Sequence, residues 1–145
     1  MSTIEVRRRV DAPPELVWAQ LVDASSWVDW AGFDMVDVEQ VTEHGELRRL
    51  TSGEALIREL VRVDEPDRRL SLEHVSGLPV YHYAGSITLT PNREGTDVEW
   101  RAEIEPFYRT AVAVVDVLRS VVETFADALA ATAETRRRNR ETKGN

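Results

Sequence analysis

The sequence predicts a single α+β domain in which a curved, seven-stranded antiparallel sheet packs around one long C-terminal helix. Two patterns carry this prediction. Segments that alternate apolar and polar residues follow one another with only brief turn signals between them, and such short connections favour antiparallel neighbours. The chain then runs from Pro106 to Gly144 without another glycine or proline, and apolar residues recur there at helical spacing.

The first strand is predicted over residues 4–10, where apolar side chains alternate with Glu and Arg. Asp11 is a candidate N-cap, because the two prolines that follow it are tolerated in a first helical turn. The short helix that results includes residues 16–21. A second short helix is predicted over residues 25–30, and Gly32 breaks it.

Six further strands follow, separated by turn signals rich in Gly, Pro, Asp and Asn. They are predicted over residues 35–41, 46–51, 55–63, 69–75, 81–90 and 96–105. In the last of them the apolar residues share one parity, while Asp, Glu and Arg occupy the other. This strand therefore has one face towards a core and one towards water.

The closing helix carries an apolar stripe with spacings of four and three residues. The stripe consists of Ala111, Val115, Leu118, Val122, Phe125 and Leu129. A helix of roughly 30 residues is about 45 Å long, and only the concave face of the sheet offers enough apolar surface to cover it. We expect one domain over residues 1–135, followed by a frayed, basic and polar tail over residues 136–145.

The composition excludes several classes of protein. The net charge is −8, and the dense basic cluster lies at the C-terminal end, so nucleic acid is not an expected partner. No apolar run approaches the length of a transmembrane segment, and no signal peptide precedes the first strand, which favours a cytoplasmic protein. With no cysteine, and with His44, His74 and His82 on separate elements, no metal site is expected. No cofactor-binding motif is present.

Several segments, taken in order, resemble one known family. They are residues 11–18 (DAPPELVW), 27–30 (WVDW), 63–70 (VDEPDRRL) and 95–100 (GTDVEW), followed by the closing helix. The chain resembles the START-like or Bet v 1-like superfamily (SRPBCC), which includes the polyketide cyclase/dehydrase and lipid transport family. This resemblance implies a helix-grip fold with a cavity between the sheet and the last helix. It does not imply one function, because the fold hosts carriers, receptors, cyclases and chaperone activators.

Residue parity and turn length predict a polar row on the inner face of the sheet. They place Glu59 opposite His74, and His74 beside Tyr81, in an otherwise apolar pocket. These three side chains are candidates for proton transfer or for hydrogen bonding to a ligand. The alternative is that Glu59 faces solvent and that His74 lies at a wet strand end near Gly77, since a shift of one residue in register reverses the faces.

The same parity predicts which side chains would contact a ligand. They are Ile57, Val61, Leu72, Tyr81, Tyr83, Trp100, Val115, Leu118 and Val122. The aromatic residues among them either stack on a ligand or fill the core. Trp27 and Trp30 either gate the pocket or pack the second helix under the sheet, and packing is favoured. Arg49 either points inward or is solvated, and solvation is favoured.

Three functions remain open. The leading one is binding of a small hydrophobic molecule, such as a lipid, an isoprenoid or a polyketide-like aromatic. The second is a cyclase or aromatase without a metal, which would use Glu59 and His74 for proton transfer. The third is a protein interaction module like the chaperone activators. The sequence leaves both catalysis and a homodimer open.

The resemblance also contains one departure. The aromatase/cyclase branch carries a serine and an arginine on the inner face of the strand that matches residues 55–63, and another arginine on the next strand. Here Glu59, Val61 and His74 occupy those positions. The arginine that would polarise a polyketide carbonyl is missing, so ligand binding is favoured over classical aromatisation.

Overall fold

A seven-stranded antiparallel sheet and a long C-terminal helix form the framework of the protein. The computed structural model describes residues 2–107 and 111–143. In chain order the elements are β1 (Ser2–Val10), α1 (Pro14–Val22), α2 (Ser26–Ala31), β2 (Met35–Thr42), β3 (Gly45–Ser52), β4 (Ala55–Asp64), β5 (Arg69–Ser76), β6 (Val80–Pro91), β7 (Thr96–Pro106) and α3 (Ala111–Lys143).

The sheet has the order β1-β7-β6-β5-β4-β3-β2, and every pair of neighbours is antiparallel. Consecutive strands from β2 to β7 are joined as hairpins, while β1, the first strand of the chain, pairs with β7, the last one. The two short helices lie between β1 and β2 in the chain, and α3 packs against β1, β7 and both short helices. The predicted fold class, a helix-grip α+β domain, is confirmed.

Helix α3 buries one stripe against the sheet and the short helices. Leu118, Val122, Ala126, Leu129 and Ala133 are buried along it. The sequence led us to expect a frayed tail from residue 136, but the helix continues to Lys143. No helix in residues 2–107 and 111–143 is both long and apolar enough to cross a membrane.

Ion pairs explain why the basic end of α3 stays helical. Arg137 Nη1 donates to Asp11 Oδ1 at 2.9 Å, and Arg136 lies 3.7 Å from Asp29. Cations are also favourable near the negative end of a helix dipole. Asp11 is therefore not the N-cap that the sequence suggested: the cap position is Pro13, and Asp11 instead binds α3, with its backbone N–H donating to Glu134.

The C-terminal end of α1 is held by buried donors. The Leu21 carbonyl accepts the Trp27 indole N–H at 3.0 Å, and the Gln20 carbonyl accepts that of Trp30 at 2.9 Å. Gln20 in turn donates to the Leu129 carbonyl of α3 at 3.1 Å. The two indole bonds satisfy carbonyls that the end of α1 leaves without intrahelical partners. The favoured interpretation of the two tryptophans as packing residues is thus supported, although Trp27 also reaches the interior cavity.

Arg48 of β3 makes the most extensive of these connections. Its side chain is only 1% exposed. It donates to the carbonyls of Leu21 at 3.1 Å and Val22 at 2.8 Å, and its Nε donates to Glu46 at 2.9 Å. The guanidinium also lies over the Trp27 ring, 5.6 Å from its centroid. Arg48 therefore fastens the end of α1 and the start of α2 to the sheet.

Arg49, the arginine that the sequence singled out, lies on the other face of β3. It is half-buried and pairs with Asp37 at 3.4 Å and Glu39 at 3.8 Å. Its favoured interpretation as a surface residue is supported. The buried arginine of this strand is its neighbour, Arg48.

We expect Arg48→Met to lower the free energy of unfolding by about 2–4 kcal/mol, because it leaves the Val22 carbonyl and the Glu46 carboxylate without their buried partner. Arg49→Met is the matched control, and it should change stability by no more than about 0.5 kcal/mol. Urea denaturation of both variants measures the difference. Equal effects of the two substitutions would contradict the role of Arg48.

Candidate functional site

A cavity of about 240 Å³ lies between the inner face of the sheet, helix α2 and helix α3. Its wall is mainly apolar and aromatic, with one ionisable carboxyl. The lining residues are Trp27, Phe33, Leu50, Ser52, Ile57, Glu59, Leu72, Leu78, Tyr83, Trp100, Leu118, Val121, Val122 and Phe125. Concave sites of this character, apolar with a few polar groups, are typical of small-molecule binding.

A second hollow, of about 370 Å³, lies on the opposite face of the sheet. It is an open groove over β4–β7, and charged side chains such as Arg62, Arg69 and Glu103 form its edges. An open, charged groove of this kind shelters little apolar surface from water. The interior cavity is therefore the candidate site.

The structure places most of the predicted lining residues at the cavity. Six of them line it: Ile57, Leu72, Tyr83, Trp100, Leu118 and Val122. Val61 has the predicted parity but is fully covered in the core, and Val115 is half-buried outside the lining set. Tyr81 lies elsewhere altogether. The role of each residue in binding stays a prediction.

Sequence reasoning missed half of the wall. The residues it did not assign to the cavity are Trp27, Phe33, Leu50, Ser52, Leu78, Val121 and Phe125. Phe125 belongs to the predicted helical stripe and so carried a usable signal. Phe33 and Leu78 lie outside the helices and strands, where periodicity says nothing about direction.

The predicted position of Tyr81 beside His74 is wrong. Leu72 pairs with Gly85, two residues further along β6 than expected. The pairing of β6 with β7 is also irregular between Val80 and His82, which turns Tyr81 away from the interior. Tyr81 is 68% exposed, and its ring packs on Phe107 with centroids 4.8 Å apart.

Glu59 has the predicted register and faces inward. It lies opposite His74 on β5 and opposite Arg48 on β3. Its carboxyl lines the cavity, and it has no hydrogen bond or ion pair with any residue that the structure describes. Burial raises the pKa of Glu59 from 4.5 to about 7, and the nearby positive charge of Arg48 limits that rise. A carboxyl with such a pKa is partly protonated near neutral pH.

The imidazole of His74 is hydrogen-bonded to the turn between β5 and β6. Its Nε2 accepts the backbone N–H of Leu78 at 3.1 Å. Burial lowers the pKa of His74, and a hydrogen bond with the Ser76 backbone opposes that shift. The imidazole is thus a neutral bracing group for the turn around Gly77. It does not line the cavity with Glu59, so the predicted acid–base pair is not assembled.

Tyr83, and not the predicted Tyr81, is the β6 tyrosine that lies near Glu59 and lines the cavity. Its pKa is raised well above the ordinary value of 10.0, first by burial and then by the negative charge of Glu59, while the neighbouring indole of Trp100 opposes the rise. Tyr83 is therefore a neutral hydroxyl. Among the described residues, none is a partner of the buried Trp100 Nε1 at hydrogen-bonding geometry.

No group of three or more His, Cys, Asp or Glu side chains that could hold a metal ion occurs in the described parts of the chain. The cavity itself contributes one carboxyl, one phenol and one serine hydroxyl. Its chemistry therefore consists of hydrogen bonding, proton transfer and apolar contact.

A family model described as polyketide cyclase / dehydrase and lipid transport matches residues 1–134. The chain belongs to this family. The match covers β1 to most of α3, so it includes every residue of the cavity wall. No curated protein matches the chain at significant sequence similarity.

Solved structures share the fold at low sequence identity. The Bacillus cereus protein XoxI superposes with a TM-score of 0.78 at 20% identity, covering 91% of this chain and 95% of that one. Zhui aromatase/cyclase from Streptomyces sp. R1128 gives 0.72 at 18%, covering 93% and 94%. The di-domain aromatase/cyclase BexL, from the BE-7585A biosynthetic pathway, gives 0.80 at 22%, covering 92% of this chain and 47% of that one. At these identities the similarity establishes the fold alone.

Glu59 should make stability depend on pH. The pKa of Glu59 is raised to about 7 in the folded protein, so ionisation of this carboxyl is less favourable there than in the unfolded chain. The folded protein therefore loses stability as the pH rises from the unfolded-state pKa of Glu59 through 7. Relative to Glu59→Gln, the wild-type protein should lose about 2 kcal/mol of unfolding free energy between pH 5 and pH 8. Urea denaturation of both proteins across this range tests it.

Glu54→Gln is the control for this experiment, since Glu54 is exposed in the turn between β3 and β4. This variant should keep the wild-type pH dependence. If wild type and Glu59→Gln also follow parallel curves, the pKa of Glu59 is not raised in the folded protein.

Proposed function

We propose that this protein binds one small, mainly apolar molecule in the cavity between its sheet and α3. The observation that carries the proposal is the partly open cavity with an aromatic and aliphatic wall, in which Glu59 is the one carboxyl and has no partner among the described residues. A carboxyl without a partner is costly in an apolar interior. A ligand that hydrogen-bonds to it removes that cost while burying its own apolar surface.

The size of the cavity restricts the ligand. Its volume of about 240 Å³ is below the range of about 300–1,000 Å³ typical of sites for drug-sized molecules. A molecule with one or two rings fits this volume. A long acyl chain or a four-ring polyketide product exceeds it. Among the hydrophobic classes that the sequence left open, a compact aromatic or isoprenoid unit is therefore favoured over a membrane lipid.

The proposal is tested by titrating 1-naphthylmethanol, a neutral two-ring alcohol, into the purified protein by calorimetry and native mass spectrometry. We expect one molecule to bind per chain. Leu118→Trp should abolish or strongly weaken binding, because its larger ring projects into the cavity. Val117→Trp is the matched control on the same helix, since Val117 is 61% exposed and outside the cavity wall.

Thermal denaturation of both tryptophan variants shows whether they fold. Equal binding by wild type and Leu118→Trp would place the alcohol outside the cavity. Absence of binding by the wild-type protein would contradict the proposal directly.

A second candidate function is proton-transfer catalysis by Glu59 alone. The supporting observation is the position of the Glu59 carboxyl in the cavity wall, where burial raises its pKa to about 7. A general acid or base works best when its pKa lies near the working pH. The family includes cyclases and dehydrases, as its description states. In a dehydration, the Glu59 carboxylate would take the proton next to a carbonyl and then give it to the β-hydroxyl group, which leaves as water while the carbon–carbon double bond forms.

A compact β-hydroxyketone, 4-hydroxy-4-phenylbutan-2-one, tests this function. Its dehydration to 4-phenylbut-3-en-2-one is followed by ultraviolet absorbance. A catalytic Glu59 should accelerate the reaction about 10²–10⁴-fold over buffer, and Glu59→Gln should lose that acceleration. Glu54→Gln should keep it. A wild-type rate equal to that in buffer would contradict catalysis of this dehydration by Glu59.

A further inference from the structure

Aromatic side chains from five parts of the fold line the same cavity as the Glu59 carboxyl. They are Trp27 of α2, Phe33 of the following segment, Tyr83 of β6, Trp100 of β7 and Phe125 of α3. Phe125 connects two of them, with ring centroids 5.6 Å from Phe33 and 6.2 Å from Trp100. The π-faces of aromatic rings attract cations electrostatically, as well as offering apolar surface. The cavity thus combines a carboxyl with a ring-lined wall.

The charges in this part of the interior leave Glu59 uncompensated. Arg48 is the nearest cation, but its guanidinium is bound by Glu46 and by the α1 carbonyls, and it does not line the cavity. The pair of Arg48 and Glu46 is neutral as a unit. No Lys or Arg side chain belongs to the cavity wall formed by the described residues. The ionised form of Glu59 would therefore give the cavity one net negative charge.

This arrangement discriminates among ligand charges. An anionic ligand would meet the Glu59 carboxylate without any cation in the wall. A neutral ligand can hydrogen-bond to Glu59 but leaves its charge unpaired. An organic ammonium supplies a charge-assisted hydrogen bond and neutralises the carboxylate, while its carbon skeleton and charge both suit the aromatic rings.

We propose that the ligand of this cavity is a small aromatic or alicyclic amine, bound as its ammonium ion with the nitrogen at the Glu59 carboxylate and the carbon skeleton among the surrounding rings. This inference rests on the proposed function, because it requires that the cavity take up a ligand. It adds the class of that ligand and makes Glu59 the specificity-determining residue.

The binding of an amine should couple to the protonation of Glu59. The titratable or charged groups on neighbouring strands are Arg48 on β3, His74 on β5 and Tyr83 on β6; the α2 and α3 residues in the wall are uncharged. His74 is held by its turn, and Tyr83 stays neutral. A cation binds only the ionised carboxylate, so amine affinity should rise with pH through about 7. An alkylammonium stays protonated over this range, as a lysine side chain does.

Three ligands with one ring system test the inference: 1-naphthylmethylamine, 1-naphthylmethanol and 1-naphthoic acid. Calorimetry at 0.15 M salt measures their Kd values for wild type, Glu59→Gln and the surface control Glu54→Gln. At pH 8 the amine should bind wild type about tenfold to a hundredfold more tightly than the alcohol, and the acid should bind most weakly. Between pH 8 and pH 6 the amine should lose about tenfold in affinity, and the alcohol should show no such loss.

Glu59→Gln should remove the preference for the amine while changing alcohol binding by less than about threefold. Glu54→Gln should keep the preference, which excludes a general effect of the net charge of −8. If the alcohol binds and the amine is no tighter, the cavity binds ligands but the amine inference is overturned. Amine affinity that increases towards pH 6 would overturn it as well. If none of the three compounds binds, the proposed function fails too. Even if Glu59→Gln does not fold, the affinities of the three ligands for the wild-type protein test the amine inference.

Discussion

The hydrogen bonds between the buried guanidinium of Arg48 and the end of α1 are the constraint on which the interior depends. Leu21 and Val22 end that helix with carbonyls that have no intrahelical partner, and Arg48 meets both from the sheet. Its charge also suits the negative end of the helix dipole. This contact sets the position of α2, which follows at once, and therefore the position of Trp27 at the cavity. One strand residue thus determines where the aromatic wall begins.

The hydrogen bonds of Arg48 also explain the chemistry of Glu59. Arg48 and Glu59 are direct cross-strand partners, and a pair of opposite charges at this separation ordinarily forms an ion pair. Here the guanidinium is engaged by Glu46 and the α1 carbonyls, so Glu59 keeps a carboxyl without a partner and a raised pKa. Tyr83 and Trp100 also line the cavity, and neither side chain carries a charge that would neutralise Glu59. The cavity consequently offers one ionisable group to a ligand.

Prediction from the sequence succeeded where local pattern decides structure and failed where side-chain direction depends on distant partners. The cross-strand pair of Glu59 and His74 was predicted correctly, because the turn between β4 and β5 is short and the parity of β4 is clear. Tyr81 was misplaced because an irregularity near Val80 cannot be read from alternation. Arg48 was missed because the apolar and polar residues of β3 do not alternate cleanly. The sequence placed His74 on the correct face, but it gave no indication that His74 accepts the backbone N–H of Leu78.

By itself the sequence determined the elements, their order and the presence of a sheet that faces a long helix, because hydrophobic periodicity and turn residues act over a few positions. It also predicted Glu59 on the inner face of β4, with a solvent-facing side chain as the alternative, and the structure decides for the inner face. Only the tertiary structure decided which aromatic rings surround that carboxyl, that His74 is unavailable to it, and that Arg48 leaves it unpaired. These outcomes depend on how side chains from separate elements share hydrogen-bonding partners. The packing of the folded protein decides which donor binds which acceptor. The periodicity of the sequence carries no information about that choice.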